Sequence, residues 1–236
     1  MEIKILFDRK RLDRTFLAGW GISYFVGNGV LFDTGEVSGC LFDNMKQMNI
    51  HIKDTKKVVI SHDHFDHTGG LWKILKERPG IDLYICAGFS NAFKEKAKSL
   101  ACNLIEVEPF MKISEGIYTT GQMEKMYGQD YIAEQALVID TEKGLTILTG
   151  CAHPGIVEIV ETVKQHTKKD IYLIMGGFHL MDNHIKKLVD IGKKLKTLDV
   201  QNVGPAHCSG EDAESVLGEL YGKNCLDIRV GKTLDV

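Results

Sequence analysis

No stretch of this 236-residue chain is long and apolar enough to cross a membrane as a helix. Its longest apolar runs, Lys57-Val58-Val59-Ile60 and Ile171-Tyr172-Leu173-Ile174-Met175, are strand-sized, against the roughly 20 residues that a span needs. An excess of either charge is missing too. The net charge is −3 and no strongly basic run occurs, so the electrostatic footprint of a nucleic-acid-binding surface is not there. Close cysteine pairs are lacking: Cys40, Cys86, Cys102, Cys151, Cys208 and Cys225 are scattered with no C-x-x-C spacing, which speaks for reduced thiols rather than a disulfide framework. The first residues, Met1 to Asp8, alternate polar and apolar types and lack the unbroken apolar core of a signal peptide. These absences lead us to expect a cytoplasmic protein with a small-molecule substrate and neither nucleic acid nor membrane as partner. No repeat, low-complexity segment or Pro/Gly/Ser-rich linker divides it.

What is present is an apolar fraction of 44%, enough for one large α/β domain over residues 1–236. Strands are expected at 2–7, 21–26 and 30–35, the last two joined by Gly27-Asn28-Gly29 as a hairpin. A helix over 36–48 precedes a β-branched strand at 57–60, and a second helix begins at Leu71 and stops at Pro79-Gly80. Strand, helix and strand follow at 82–86, 90–98 and 103–107. A second hairpin is expected from Tyr131–Asp140 and Leu145–Leu148, turning at Glu142-Lys143-Gly144. Helices at 155–166, 183–197 and 211–221 then alternate with strands at 171–175, 200–203 and 226–230, with 204–210 as a loop. Hairpins mixed with strand–helix alternation predict an α/β sandwich rather than a purely doubly wound sheet.

Chemistry concentrates in His62-Asp63-His64-Phe65-Asp66-His67. An extended segment sends alternate side chains to one side, so His62 and His64 can converge on one metal ion. Asp66 and His67 come as the chain bends before Thr68-Gly69-Gly70 and can address a second ion. Three protein ligands per ion leave a position for water, whose pKa a metal lowers to about 7, making hydroxide available at neutral pH. A solvated polar loop after a buried strand is the bland alternative, and three histidines with a carboxylate at this spacing weigh against it.

Ser61-His-Asp-His-Phe-Asp-His-Thr-Gly-Gly70 resembles the H-x-H-x-D-H signature of the metallo-β-lactamase superfamily. Leu31-Phe32-Asp33-Thr34-Gly35, Thr149-Gly150-Cys151-Ala152-His153-Pro154-Gly155 and Ala206-His207-Cys208 reinforce the match across most of the chain. The phrases Gly-Cys-Ala-His-Pro-Gly and Gly-Gly-Phe-His-Leu resemble the branch of metal-dependent hydrolases that includes relatives of a dihydropterin–ribofuranosylaminobenzene phosphate synthase. The resemblance implies a four-layered αβ/βα sandwich with a binuclear site for two divalent transition-metal ions, zinc first and iron or manganese otherwise. It implies His62, His64 and His153 on the first ion, and Asp66, His67 and His207 on the second. The family's bridging aspartate has no match: the strand ending Leu148-Thr149-Gly150 runs into Cys151. Glu134, Cys151, His153, His179 or water alone stay open for that place.

Among the other residues, His179 follows strand 171–175 and two glycines, placed to protonate a leaving group or to bond a neighbouring loop. Asp33 either orients a ligand histidine through its second nitrogen or caps the following helix. Cys151 and Cys208 are thiolate ligands or merely small buried residues. His51, His166 and His184 sit in polar stretches as surface residues, and Trp20 and Trp72 are packing residues, with Trp20 also placed to line an entrance. The leading function is hydrolysis of an ester, phosphodiester or lactone by a metal-bound hydroxide, with Asp66 and His179 as catalytic residues. A pterin-precursor synthase and a non-catalytic metal-binding or sensor protein are the alternatives.

Overall fold

The computed structural model describes every residue except Asn28, Gly128 and Gln129. The chain folds as two compact units, residues 1–108 with 229–236, and residues 109–228.

The first unit begins with β1 (Glu2–Phe7), β2 (Ser23–Val26) and β3 (Val30–Phe32), an antiparallel run. The pairing of Val26 with Val30 bears out the expected hairpin, although Asn28 in its turn lies outside the described residues. Helix α1 (Ser38–Gln47) then carries the chain to β4 (Lys57–Val59), which lies parallel to β3. Helix α2 (Phe65–Thr68) is a single turn, followed by α3 (Leu71–Glu77), β5 (Asp82–Ile85), α4 (Asn91–Ser99) and β6 (Asn103–Glu106). The Ser90 hydroxyl accepts a bond from Phe93 N–H at 3.3 Å and caps α4, as its residue type suggests. β3 to β6 form a parallel series, and the terminal strand Thr233–Asp235 closes the other edge against β1. Ile3, Ile5, Tyr24, Phe32, Leu41, Val58 and Leu83 are wholly buried. Each contributes roughly 1.5–3 kcal/mol through its loss of apolar contact with water.

The second unit opens with β7 (Lys112–Ser114), β8 (Ile117–Thr119), β9 (Met123–Tyr127) and β10 (Asp130–Glu134). β11 (Leu137–Thr141), β12 (Gly144–Thr149), helix α5 (Ile156–Thr167), β13 (Ile171–Gly177), helix α6 (Ile185–Thr197), β14 (Asn202–Ala206) and helix α7 (Glu211–Tyr221) complete it. Its six-stranded sheet runs β14-β13-β12-β11-β8-β7, parallel from β12 to β14, while β9 and β10 pair separately. Ile147, Val160, Ile174, Leu188, Val203 and Leu217 belong to one continuous core.

Three expectations are corrected. The run 131–140 is not one strand: Gln135-Ala136 interrupts it, so that β10 pairs with β9 whereas β11 pairs with β8 and β12. The segment 226–230 is not a strand; Val230 makes only an isolated bridge to Arg11, and the terminal strand comes three residues later. The presumed loop at 204–210 is a strand through Ala206 followed by a 3-10 turn at His207–Ser209, because Gly204 to Ala206 pair with Met175 to Gly177. No helix among the described residues is long and apolar enough to cross a membrane.

Candidate metal centre

The ligand-type side chains of each unit gather where parallel strands end. In the first unit β3 delivers Asp33 and β4 delivers Ser61 to His67; in the second, β12 delivers Cys151 and His153, β13 His179, and β14 His207 and Cys208. Carboxyl ends of parallel strands are where open α/β sheets place ligands, since connecting loops there are free to vary in shape.

Ser61 to Asp63 form a bend rather than an extended strand, and α2 starts directly after His64. The convergence expected from alternation is therefore achieved by a bend and one helical turn. The His62 ring lies 4.6 Å from the ring of His64 and 4.1 Å from that of His67, centre to centre. Nε2 of His67 is 3.5 Å from an Asp66 carboxylate oxygen. Asp63 turns away, its carboxylate accepting from Ser90 N–H at 3.3 Å. Close approach of the backbone is built in at Gly21: at φ 108°, any Cβ there would lie 1.8 Å from the Asp66 carbonyl oxygen.

Buried Asp33 organises this cluster, and the helix-capping alternative falls away because Val37 occupies the N-cap of α1. Its carboxylate accepts from the Ser61 amide and the Ser61 hydroxyl, each at 2.7 Å, and stands 2.7 Å from His67 Nδ1. Ser61 Oγ is also 2.9 Å from His62 Nδ1. The single hydroxyl proton goes to Asp33, so Oγ accepts from His62, and both rings are left with Nε2 as the ligand nitrogen. Burial alone would lower the pKa of His67, but the charge and hydrogen bond of Asp33, with help from Asp66, push it up to about 10. Sequence reasoning overlooked Ser61; a hydroxyl at the end of a strand just before the histidines was the available signal.

In the second unit the ligand atoms of Cys151, His153 and His179 lie within 4.8 Å of one another, and so do those of Cys151, His207 and Cys208. The His153 and His179 rings are 4.4 Å apart. The Cys151 and Cys208 sulfurs meet in a 3.3 Å S–H···S contact. Burial disfavours a Cys208 thiolate, yet hydrogen bonding with Cys151 and His179 and the charges of His207 and His179 hold its pKa well below the thiol range. His179, exposed at the rim, is shifted upward, first by its hydrogen bond with Cys208.

Glu134 takes a part that its sequence position does not announce. One carboxylate oxygen accepts from the amides of Cys151 and Ala152, both at 2.8 Å, and the other from His153 N–H at 2.7 Å. It clasps the ligand loop by its backbone. The loop needs this, because Ala152 is held at φ 57°, a left-handed conformation that costs of order 1–3 kcal/mol away from glycine. Asp33, His179 and His207 share that conformation, at φ 55°, 52° and 46°. A cleft of about 410 Å³ opens beside His153 and His179, with apolar walls from Ile156, Val157 and Phe178 and with Lys187 and Lys194 on α6.

The remaining histidines keep to structural places. His166 stacks on Phe110 with ring centres 3.6 Å apart, His51 and His184 precede helical turns, and Trp72 packs on Phe93. None of the six cysteines is in a disulfide, as expected. A donor set of imidazole, carboxylate and thiol suits zinc or another transition metal better than an oxygen-seeking cation.

Comparison with known proteins bears on the family and the fold. The family model of the metallo-β-lactamase superfamily matches residues 23–101. The chain is 29% identical to the 7,8-dihydropterin-6-methyl-4-(β-D-ribofuranosyl)-aminobenzene-5'-phosphate synthase of Methanocaldococcus jannaschii, over 93% of this chain and 90% of that protein. A solved metal-dependent hydrolase of the β-lactamase superfamily superposes with a TM-score of 0.85 at 26% identity, covering 100% of this chain and 99% of its own. The metallo-β-lactamase fold protein YhfI of Bacillus subtilis, at 11% identity, shares the fold with a TM-score of 0.71, over 99% of this chain and 98% of its own. The mixed α/β fold, with sheets flanked by helices, is thus the one expected.

Proposed function

We propose, from the premise that this chain belongs to the metallo-β-lactamase superfamily, that it is a hydrolase of small-molecule esters, phosphodiesters or lactones. Its ligands for two divalent ions, zinc first and iron or manganese otherwise, are His62, His64, Asp66, His67, His153 and His207. The observation that carries this reading is the orientation of His62 and His67, each fixed through Nδ1 by Ser61 or Asp33 so that Nε2 is presented for ligation. When bound, such ions would supply hydroxide at neutral pH and polarise the substrate oxygen. The chain's own residues do the rest. Asp66 adds the negative charge that the second ion requires, Glu134 holds the His153 loop in shape, and His179 delivers a proton to the leaving group from the rim of the cleft. Apolar walls there take the substrate body, while Lys187 and Lys194 favour an anionic end.

Reduced thiols throughout support a cytoplasmic setting, and a net charge of −3 supports a small-molecule rather than a nucleic-acid partner. The deciding experiment is metal analysis of protein purified without chelator, followed by a substrate screen across the three bond types. Protein carrying two ions yet inert on every class would sink the hydrolase reading.

The likeness to the archaeal synthase favours a second reading, in which the same site joins a dihydropterin bearing a leaving group on its 6-methyl carbon to a ribofuranosylaminobenzene phosphate, whose amine nitrogen displaces that group. Incubation with those two reactants separates the two: the hydrolase reading expects no coupled product. A metal-binding or sensor protein without turnover is the third possibility, and it expects two ions and inertness in both assays.

A further inference from the structure

The ligand set that the family implies leaves one place vacant, that of the carboxylate bridging the two ions. We propose that the Cys151 thiolate takes this place, as a ligand shared by the ion on His153 and the ion on His207. The inference rests on the reading that the chain binds two ions.

Cys151 is common to both ligand clusters of the second unit. Its sulfur lies within 4.8 Å of the ligand atoms of His153 and His179, and equally of those of His207 and Cys208. The side chain is buried, and its backbone is pinned by the 2.8 Å bond from its amide to Glu134. A thiol that merely filled space would have apolar neighbours, whereas this one faces three imidazoles and a second thiol. The other candidates fit the place less well. Glu134 directs its two oxygens at three backbone amides, and His179 stands exposed at the rim. The Cys208 sulfur, 3.3 Å from that of Cys151, gathers with His207 but among the described residues belongs to no cluster that includes His153, whereas Cys151 belongs to both.

The surrounding backbone makes room for this arrangement. A Cβ on Gly177 would come within 2.3 Å of the Gly150 carbonyl, 2.7 Å of the Cys208 sulfur and 3.1 Å of the Cys151 Cα. The absence of a side chain at the end of β13 therefore lets both sulfurs sit together. A soft thiolate in place of a hard carboxylate shifts preference from magnesium or manganese towards zinc.

The test uses the full chain loaded with Zn(II) or, anaerobically, with Co(II). X-ray absorption at the zinc edge should show a sulfur neighbour at about 2.3 Å in the wild type. Cobalt should give a thiolate-to-metal charge-transfer band that grows through the second equivalent. That band should vanish in Cys151→Ala and persist in Cys208→Ala. A shell of nitrogen and oxygen alone in metal-loaded protein would overturn this inference and leave the proposed function standing. A band that saturates at one equivalent, or one that follows Cys208 instead, overturns it as well. Failure of the wild type to take up metal removes both readings together. If Cys151→Ala does not fold, the zinc-edge spectrum of Cys208→Ala decides: its sulfur neighbour should remain, and the loss of it overturns the inference.

Discussion

Asp33 and His67 face each other across 2.7 Å, carboxylate to Nδ1, with both side chains shut off from solvent. The pair joins the end of β3 to the turn of α2, and it commits the imidazole to one orientation before any metal arrives. Replacing Asp33 with alanine should lower metal affinity by about 10–100-fold, the usual cost of losing such a partner. Competition against a chelator measures it, and unchanged affinity would remove Asp33 from the site.

The same pair gives the metal-free protein a pH signature. The folded pKa of His67, about 10, is above its ordinary 6.5. Its contribution to stability is therefore complete below about pH 6.5 and fades as the pH rises through 10. Melting temperatures of the metal-free protein should fall over that interval, and Asp33→Asn should flatten the fall. Equal slopes for the two proteins would contradict the assignment.

Glu134→Gln replaces an acceptor oxygen by an amide donor pointed at a backbone N–H. An unsatisfied buried group of this kind costs about 1–3 kcal/mol. Thermal unfolding should register the loss, and amide exchange at Cys151, Ala152 and His153 should quicken. Exchange rates identical to wild type would show that the clasp does not hold the loop.

Asp66→Asn should remove activity on any substrate found while the fold survives, because a neutral amide binds a cation poorly. Circular dichroism and metal content are read alongside turnover. Near-wild-type rates in this variant would refute the role given to Asp66.

His179→Ala should lower kcat by roughly 10²–10⁴-fold with metal content unchanged. The loss should shrink for nitrophenolate esters, whose leaving group needs little protonation. A loss that is flat across leaving groups, with a lowered melting temperature, points to a structural role instead. A variant that sheds an ion identifies a ligand.

Much of this architecture is legible in the sequence because local rules govern it. The β-branched run Lys57 to Ile60 ends at the histidines, and the helices after Gly155 and Gly210 follow plain apolar periodicity. The unread parts depend on partners far along the chain. Glu134 finds its amides 17 to 19 residues later, so no local pattern marks it as a clasp. The break at Gln135-Ala136 goes unseen because apolar residues resume at once beyond Glu134-Gln135, while the two halves pair with different strands. The bend at Ser61 to Asp63 is equally hidden, since it depends on Asp33 accepting from Ser61 across 28 residues.

The terminal strand has a consequence for how the chain is made. β1 ends at Phe7, and its outer partner starts at Thr233, 226 residues (233 − 7) further along the chain. At about 5–20 residues per second, the gap is on the order of 10–50 seconds. Throughout that interval the edge of β1 offers unpaired amides and carbonyls to any neighbouring chain. The nascent protein is thus open to misassociation while its metal-binding motif has already been synthesised, and the emergence of Thr233–Asp235 is the event that shields the edge.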